Sequence, residues 1–158
     1  SYIARNDYSY MRPSSRRDGP AIYPSLRSTE VNIVVVVDTS GSISNGEISE
    51  FLSEINAIKG QLSARITLLA CDTELDTDCP WRYEPWEEVH LPDKLGGGGG
   101  TSFVPPFQWL QQQDIQPDLL VYFTDAEGEF PRQEPAVDVL WLVKGKKKVP
   151  FGTRVQLN

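Results

Sequence analysis

The sequence has few of the residues that build disulfide frameworks and zinc centres. Its 158 residues include two cysteines, Cys71 and Cys79, and one histidine, His90. Two cysteines do not make a disulfide scaffold, and their spacing matches no zinc-binding pattern. We therefore expect both thiols to be structural and reduced, as is usual in the cytosol. The sequence alone leaves open the alternative that they pair across neighbouring strands.

Long apolar stretches are also missing. No run approaches the roughly 18 apolar residues of a membrane-spanning helix, and the first residues do not form the apolar core of a secretory signal. These absences predict a cytoplasmic protein with no membrane partner. The first residue is not methionine, which predicts that the chain is part of a longer protein.

The charges are unevenly distributed along the chain, whose formal net charge is −7. Residues 1–29 hold five arginines against two aspartates, whereas the remainder holds ten basic against twenty acidic residues. An acidic body repels nucleic acid, so we expect no nucleic-acid partner. Residues 1–29 also carry four tyrosines and no periodic pattern. They predict a basic, aromatic arm or linker before a domain at 30–158, and the alternative is a strip for single-stranded nucleic acid.

Alternation of apolar strands with helical patterns predicts an α/β fold. Buried strands are expected at 31–37, 65–72, 118–123, 137–143 and 154–157, with an edge strand at 81–91. The first helix begins at the capping box of Ser44 and Glu47, and a second follows the glycine run at 96–100. A strand, a crossover helix and a strand make a right-handed parallel unit. We therefore expect an open, mostly parallel, doubly wound sheet with helices on both faces.

Three loops bring oxygen-bearing side chains to the carboxyl ends of the predicted strands, where open α/β sheets bind ligands. The candidate metal ligands are Asp38, Ser40, Ser42, Thr101 and Asp125. Alternate residues of an extended turn point the same way, so the first three can converge on one point. Because none of the five offers sulfur or imidazole, the set favours Mg²⁺ or Mn²⁺ over Zn²⁺ or Cu²⁺. The alternative for the first loop is an ordinary turn and helix cap.

Several neighbours of this predicted site are candidates for supporting roles. Asp72 and Glu127 are possible outer acidic groups, and the alternative for both is a turn residue. Gly99 and Gly100 precede Thr101 and are predicted to let the backbone approach the metal. The glycine run lacks the Gly-Lys-Ser/Thr of a phosphate-binding loop, and its other alternative is a flexible linker. The lysine-rich segment 144–148 is predicted to be a solvated hairpin, and the alternative is a docking patch for an acidic partner.

The sequence Asp38-Thr39-Ser40-Gly41-Ser42, together with Thr101 and Asp125, resembles the metal-ion-dependent adhesion site (MIDAS) of von Willebrand factor A (VWA) domains. The resemblance covers about residues 30–158 and implies a VWA-like, Rossmann-like fold. It implies that Ser40, Ser42 and Thr101 bind the ion directly. Asp38 and Asp125 would act largely through water, and an acidic residue of a protein partner would take the open position.

One stretch departs from the general VWA pattern. Only about eleven residues, rich in proline and glutamate, separate Asp125 from the strand predicted to begin at Val137. A full VWA domain usually has a helix there, so we expect the fold to be trimmed on that side.

Further segments resemble the VWA-like domain at the C-terminal end of predicted bacterial metallopeptidases. They are residues 97–103, 122–128, 130–131, 139–141 and 150–152. This resemblance implies a bacterial protein in which residues 1–29 lead from an N-terminal zinc domain. It also implies a MoxR-type AAA+ ATPase, or the substrate of one, as the partner.

Two other functions compete with a metal-dependent interaction module. The same cation can activate water or a phosphoryl group in a metal-dependent hydrolase, and a structural domain can keep a vestigial site. His90 lies in the predicted edge strand, and no lysine joins the candidate ligands. We therefore expect this domain to bind and not to catalyse.

Overall fold

The helices and strands of the described residues are those of an alternating α/β chain. The computed structural model describes residues 30–92, 95–114 and 116–157, and the predicted arm at 1–29 lies outside them. The elements in chain order are β1 (Val31–Asp38), α1 (Asn45–Leu62), β2 (Ala64–Cys71), β3 (Trp81–Tyr83), α2 (Val104–Gln111), β4 (Leu119–Thr124), β5 (Val139–Lys144) and β6 (Thr153–Leu157). Neither helix in the described part is long and apolar enough to cross a membrane.

Six strands form one sheet in the order β3-β2-β1-β4-β5-β6. All neighbouring pairs are parallel except β2 and β3, which confirms the mostly parallel sheet. The chain builds β2 on one side of β1 and β4 on the other, so the strand order reverses at β1. Ligands of open α/β sheets bind at such a reversal, beyond the carboxyl ends of the strands.

The sheet is covered on both faces because alternate side chains of β1 point in opposite directions. Val35 and Val37 pack with the apolar side of α1, whereas Val34 and Val36 pack with α2. Both layers are buried, which confirms the predicted doubly wound arrangement. The predicted capping box is also present: the Ser44 amide donates to Glu47 Oε1 at 3.0 Å, and the Glu47 amide donates to Ser44 Oγ at 3.1 Å.

The segment between β4 and β5 is trimmed, as predicted. Residues 125–138 contain no helix. The edge strand is shorter than predicted, since β3 ends at Tyr83 instead of continuing to residue 91. The backbone carbonyls of the following segment bond to α1: the Lys59 ammonium donates to the Pro85 carbonyl at 2.7 Å, and the Asn56 side-chain amide donates to the Val89 carbonyl at 2.6 Å.

The predicted hairpin at 144–148 is wrong. Strands β5 and β6 are parallel, so the chain after Lys144 crosses back along the sheet instead of reversing beside β5. Arg154 in β6 stabilises this connection, because its Nε donates to the Lys147 carbonyl at 2.8 Å and its Nη2 to the Gly145 carbonyl at 3.0 Å.

Candidate functional site

The first loop of the site begins with a buried carboxylate at the end of β1. Asp38 is fully buried; its Oδ1 accepts a hydrogen bond from the Ser40 amide at 2.8 Å and its Oδ2 accepts one from the Thr124 hydroxyl at 2.5 Å. Burial raises the pKa of Asp38, and the hydrogen bonds from Thr124 and Ser40 oppose that rise because they favour the charged form. Two protein donors therefore hold this carboxylate in place.

A chain of oxygens continues from this loop to the end of β4. Ser40 Oγ and Ser42 Oγ are 3.2 Å apart, and the Ser42 hydroxyl donates to Asp125 Oδ2. Asp125 Oδ1 in turn accepts a hydrogen bond from the Glu127 amide at 3.0 Å. The structure thus brings together four of the five predicted ligands: Asp38, Ser40, Ser42 and Asp125.

The fifth predicted ligand, Thr101, lies in a loop that packs on the Asp125 loop. A Cβ built on Gly128 would be 2.8 Å from Thr101 Cγ2 and 2.9 Å from the Thr101 carbonyl oxygen. A hydrogen bond also joins these two loops, since the Phe103 amide donates to the Glu129 carbonyl at 2.8 Å. Among the described residues, the Thr101 hydroxyl does not belong to the chain of hydrogen-bonded oxygens. Its loop is nevertheless fixed beside that chain.

The glycine run is packed against the first loop and does not act as a free linker. The Gly98 amide donates to the Thr39 carbonyl at 2.8 Å, and the Gly96 amide donates to Asp76 Oδ2 at 2.7 Å. The closest backbone approach is at Gly97, whose φ is +113° and where a Cβ would lie 2.6 Å from the Thr39 carbonyl oxygen. Glycine is needed here for both the positive φ and the lack of space.

Gly99 and Gly100 lie near the loop that follows β2, and the approach of their backbone to a metal stays a prediction. A Cβ at Gly99 would lie 3.3 Å from Asp72 Oδ2, and one at Gly100 would lie 3.4 Å from Thr73 Cγ2. These two glycines therefore pack against the loop that follows β2.

The two predicted outer acidic groups differ in their positions. Asp72 follows β2; its carbonyl accepts a hydrogen bond from the Ser102 amide at 2.7 Å, and its Oδ1 accepts one from the Glu74 amide at 3.1 Å. Asp72 is therefore a turn residue that also lies beside the glycine run. Glu127 is exposed and contributes its backbone amide to Asp125. Neither carboxylate is part of the oxygen chain in the described structure.

Sequence reasoning missed two threonines that hold the site together. Thr124 is fully buried; besides donating to Asp38, its hydroxyl accepts a hydrogen bond from the Ala126 amide at 3.0 Å. Thr39 joins β1 to β2, because its amide donates to the Cys71 carbonyl at 3.0 Å. The register of β1 against β4 would have identified Thr124. Val37 lies opposite Phe123, so the next residues of the two strands, Asp38 and Thr124, are neighbours.

The donor set fits a hard divalent cation. It consists of serine and threonine hydroxyls with two carboxylates, and oxygen ligands of this kind suit Mg²⁺ and Mn²⁺. Both thiols are free, as predicted, and burial raises the pKa of Cys71 to about 12. A thiol that stays protonated is a poor metal ligand, so the oxygens remain the candidate ligands.

Comparisons with known proteins agree with this fold. Residues 33–158 match the family described as VWA-like domain (DUF2201). An uncharacterized protein of Thermotoga maritima is 28% identical over 122 residues, which are 77% of this chain and 29% of that protein. The crystal structure of the ArnB paralog VWA2 from Sulfolobus acidocaldarius superimposes with a TM-score of 0.55 at 16% identity, over 75% of this chain and 36% of that one. The chain therefore spans about a third of the length of either protein, and the structural likeness concerns the fold alone.

Proposed function

The chain belongs to the VWA-like domain (DUF2201) family, and from this premise we propose that it is a protein-interaction module that binds its partner through a divalent cation. The observation that carries the proposal is the oxygen chain through Ser40, Ser42 and Asp125 at the point where the strand order reverses. Its donor set suits Mg²⁺ or Mn²⁺.

Ser40, Ser42 and Thr101 are the proposed direct ligands. Both oxygens of Asp38 already accept hydrogen bonds from protein donors, which supports a role for Asp38 through bound water. Asp125 accepts from Ser42 and from the Glu127 amide, and we assign it a similar role. The bound ion supplies a positive centre that attracts an acidic residue of the partner.

The wider setting is part of the same proposal. We propose a bacterial, cytoplasmic protein in which this domain binds and does not catalyse, with a MoxR-type AAA+ ATPase or its substrate as the partner. An attached N-terminal domain is proposed to carry the metallopeptidase activity. These proposals are based on the resemblance of segments such as 97–103 and 122–128 to the C-terminal VWA-like domain of such proteins.

The replacement of Asp125 with alanine tests the metal site. We expect Mg²⁺ to raise the melting temperature of the wild-type chain above its value in EDTA, because a ligand at about 100 times its dissociation constant stabilises the folded state by about 2.7 kcal/mol. In Asp125→Ala the shift should largely disappear. Asp125 is preferred to Asp38 because removal of the buried Asp38 leaves the Thr124 hydroxyl without its acceptor, which affects folding as well.

Glu134→Ala is the matched control, since Glu134 is an exposed carboxylate in the same connection between β4 and β5. It should keep the full Mg²⁺-dependent shift. Thermal melts of the 158-residue chain in EDTA, Mg²⁺ and Mn²⁺ measure all three proteins. Equal shifts in Asp125→Ala and the wild type, or no shift in the wild type, would reject the proposed site.

A further inference from the structure

The loop after β2 gives one side of the candidate site an acidic lining. Residues 72–78 contain four carboxylates and no basic residue, namely Asp72, Glu74, Asp76 and Asp78. Glu74 and Asp78 are exposed. A cavity of about 580 Å³ opens between this acidic loop, Thr39 and Asn45 at the start of α1. This acidic cavity lies beside the first loop of the site, residues 38–42. It therefore fits the side chain of a lysine or arginine, which has the complementary charge.

The loop after β5 gives the other side of the site a basic surface. Lysines 146–148 are exposed. The side chain of Arg154 binds the carbonyls of Gly145 and Lys147, so the backbone beneath these lysines is hydrogen-bonded to β6. A positive surface of this kind attracts acidic side chains of a partner.

The basic loop is attached to the Asp125 side of the site. A Cβ built on Gly145 would lie 4.0 Å from the Asp125 carbonyl oxygen. Lys144 Nζ lies 3.2 Å from Glu47 Oε2 in the first turn of α1, which begins just after Ser42. The lysines that follow therefore project from a segment next to the candidate metal ligands.

The order of strands places the two charged loops on opposite sides of the ligands. The acidic loop follows β2, Asp38 ends β1, Asp125 follows β4 and the basic loop follows β5, and these four strands are consecutive in the sheet. Neighbouring strands are about 4.8 Å apart, so the outer two of the four are separated by about 14 Å. An extended peptide rises about 3.3 Å per residue and covers that distance in about four residues.

We propose that the partner of this site presents a segment in which the metal-binding acidic residue lies between basic residues on one side and acidic residues on the other. The basic residues face the cavity of the acidic loop, and the acidic residues face lysines 146–148. This inference rests on the proposed metal-dependent function and adds to it the charge pattern and orientation of the partner segment.

Short peptides with different charge patterns test the inference on the full 158-residue chain. The probe is labelled Lys-Lys-Gly-Asp-Gly-Glu-Glu with blocked termini. The comparison peptides carry lysines on both sides, glutamates on both sides, or asparagine at the centre. Fluorescence anisotropy at low salt in Mg²⁺ should show the mixed peptide binding about fivefold more tightly than either uniform peptide, because each exposed ion pair contributes a small favourable amount. EDTA or the central asparagine should remove the binding.

Charge reversal on each side should change the preference in opposite directions. Glu74→Lys with Asp78→Lys should favour the peptide with glutamates on both sides, and Lys146→Glu with Lys147→Glu should favour the one with lysines on both sides. Glu88→Lys with Asp114→Lys is the control. It makes the same change in charge as the first of these two pairs, at exposed positions near the opposite end of the sheet, and should leave the preference for the mixed peptide unchanged.

The outcomes separate this inference from the proposed function. If the wild-type chain shows no Mg²⁺-dependent melting shift, the proposed function fails and the inference fails with it. If Mg²⁺ binds and the mixed peptide needs it, but the uniform peptides bind equally well, only the charge pattern is wrong. A preference that follows the charge reversals supports the inference.

Discussion

Trp141→Ala is expected to lower the free energy of unfolding by about 3–5 kcal/mol, the usual cost of removing a large buried aromatic side chain. Trp141 lies in the middle of β5 with no exposed surface. Its ring centroid is 5.0 Å from that of Tyr122 and 5.6 Å from that of Phe103. Its indole N–H donates to the Phe151 carbonyl at 2.9 Å, so alanine also leaves a carbonyl without its donor.

Trp86→Ala is the matched control, because Trp86 is 78% exposed. Exposed side chains away from special features change stability by about 0.5 kcal/mol or less. Urea denaturation followed by circular dichroism gives the free energy of unfolding of both variants and the wild type. Similar losses in the two variants would contradict the assigned packing of Trp141.

The aromatic side chains around Trp141 explain how the trimmed connection between β4 and β5 covers the sheet without a helix. The ring of Phe130, from that connection, lies 5.3 Å from the Trp141 ring, and the ring of Phe151, from the loop before β6, lies 5.8 Å from it. Phe103 packs 4.6 Å from Phe130. The same contacts hold the Thr101 loop against the Asp125 loop, so the core on this face also positions the candidate site.

The periodic segments of the sequence were enough to predict the sheet and its two layers. An unbroken β-branched run such as 33–37 has few alternatives to a strand buried on both faces. The candidate ligands were recognised from their motif, and their approach followed from parallel strands that end at one edge. These features are local in sequence or are general properties of parallel sheets.

The features that sequence reasoning missed depend on contacts between distant residues. The edge strand ends early because Lys59 and Asn56 bind the carbonyls of residues 85–89, and no local pattern reports such a contact. The segment at 144–148 has a glycine among four lysines, a pattern that fits an exposed turn, but only the position of β6 decides whether the chain reverses there. The role of Thr124 required the register of β1 against β4.

The burial of Asp38 determines which experiments report on the metal site. A fully buried carboxylate that accepts hydrogen bonds from Thr124 and Ser40 contributes to the structure of the loop as well as to any bound ion. Its replacement removes both contributions together. Asp125 and Ser42 are less buried than Asp38, so variants at these two positions separate metal binding from folding more cleanly.

Gly97→Ala is expected to lower the free energy of unfolding by about 2–4 kcal/mol, as the sum of backbone strain and overpacking. The added Cβ would lie 2.6 Å from both the carbonyl oxygen and Oγ1 of Thr39 and 2.8 Å from its Cβ. Most of these atoms are backbone or stem atoms that move only with the loop. Thr39 stands between Asp38 and Ser40, so we also expect the Mg²⁺-dependent melting shift to decrease.

Gly98→Ala separates the cost of backbone strain from the cost of overpacking. Gly98 also has a positive φ, of +86°, but a Cβ built on it would have no heavy atom within 4 Å. It should lose only the backbone cost of about 1–2 kcal/mol and keep the Mg²⁺-dependent shift. Urea denaturation and thermal melts in EDTA and in Mg²⁺ give both quantities for each variant. If the glycine run served only as a linker, both substitutions would lower stability equally. If it holds residues 38–42 in place through Thr39, Gly97→Ala would lower stability far more than Gly98→Ala.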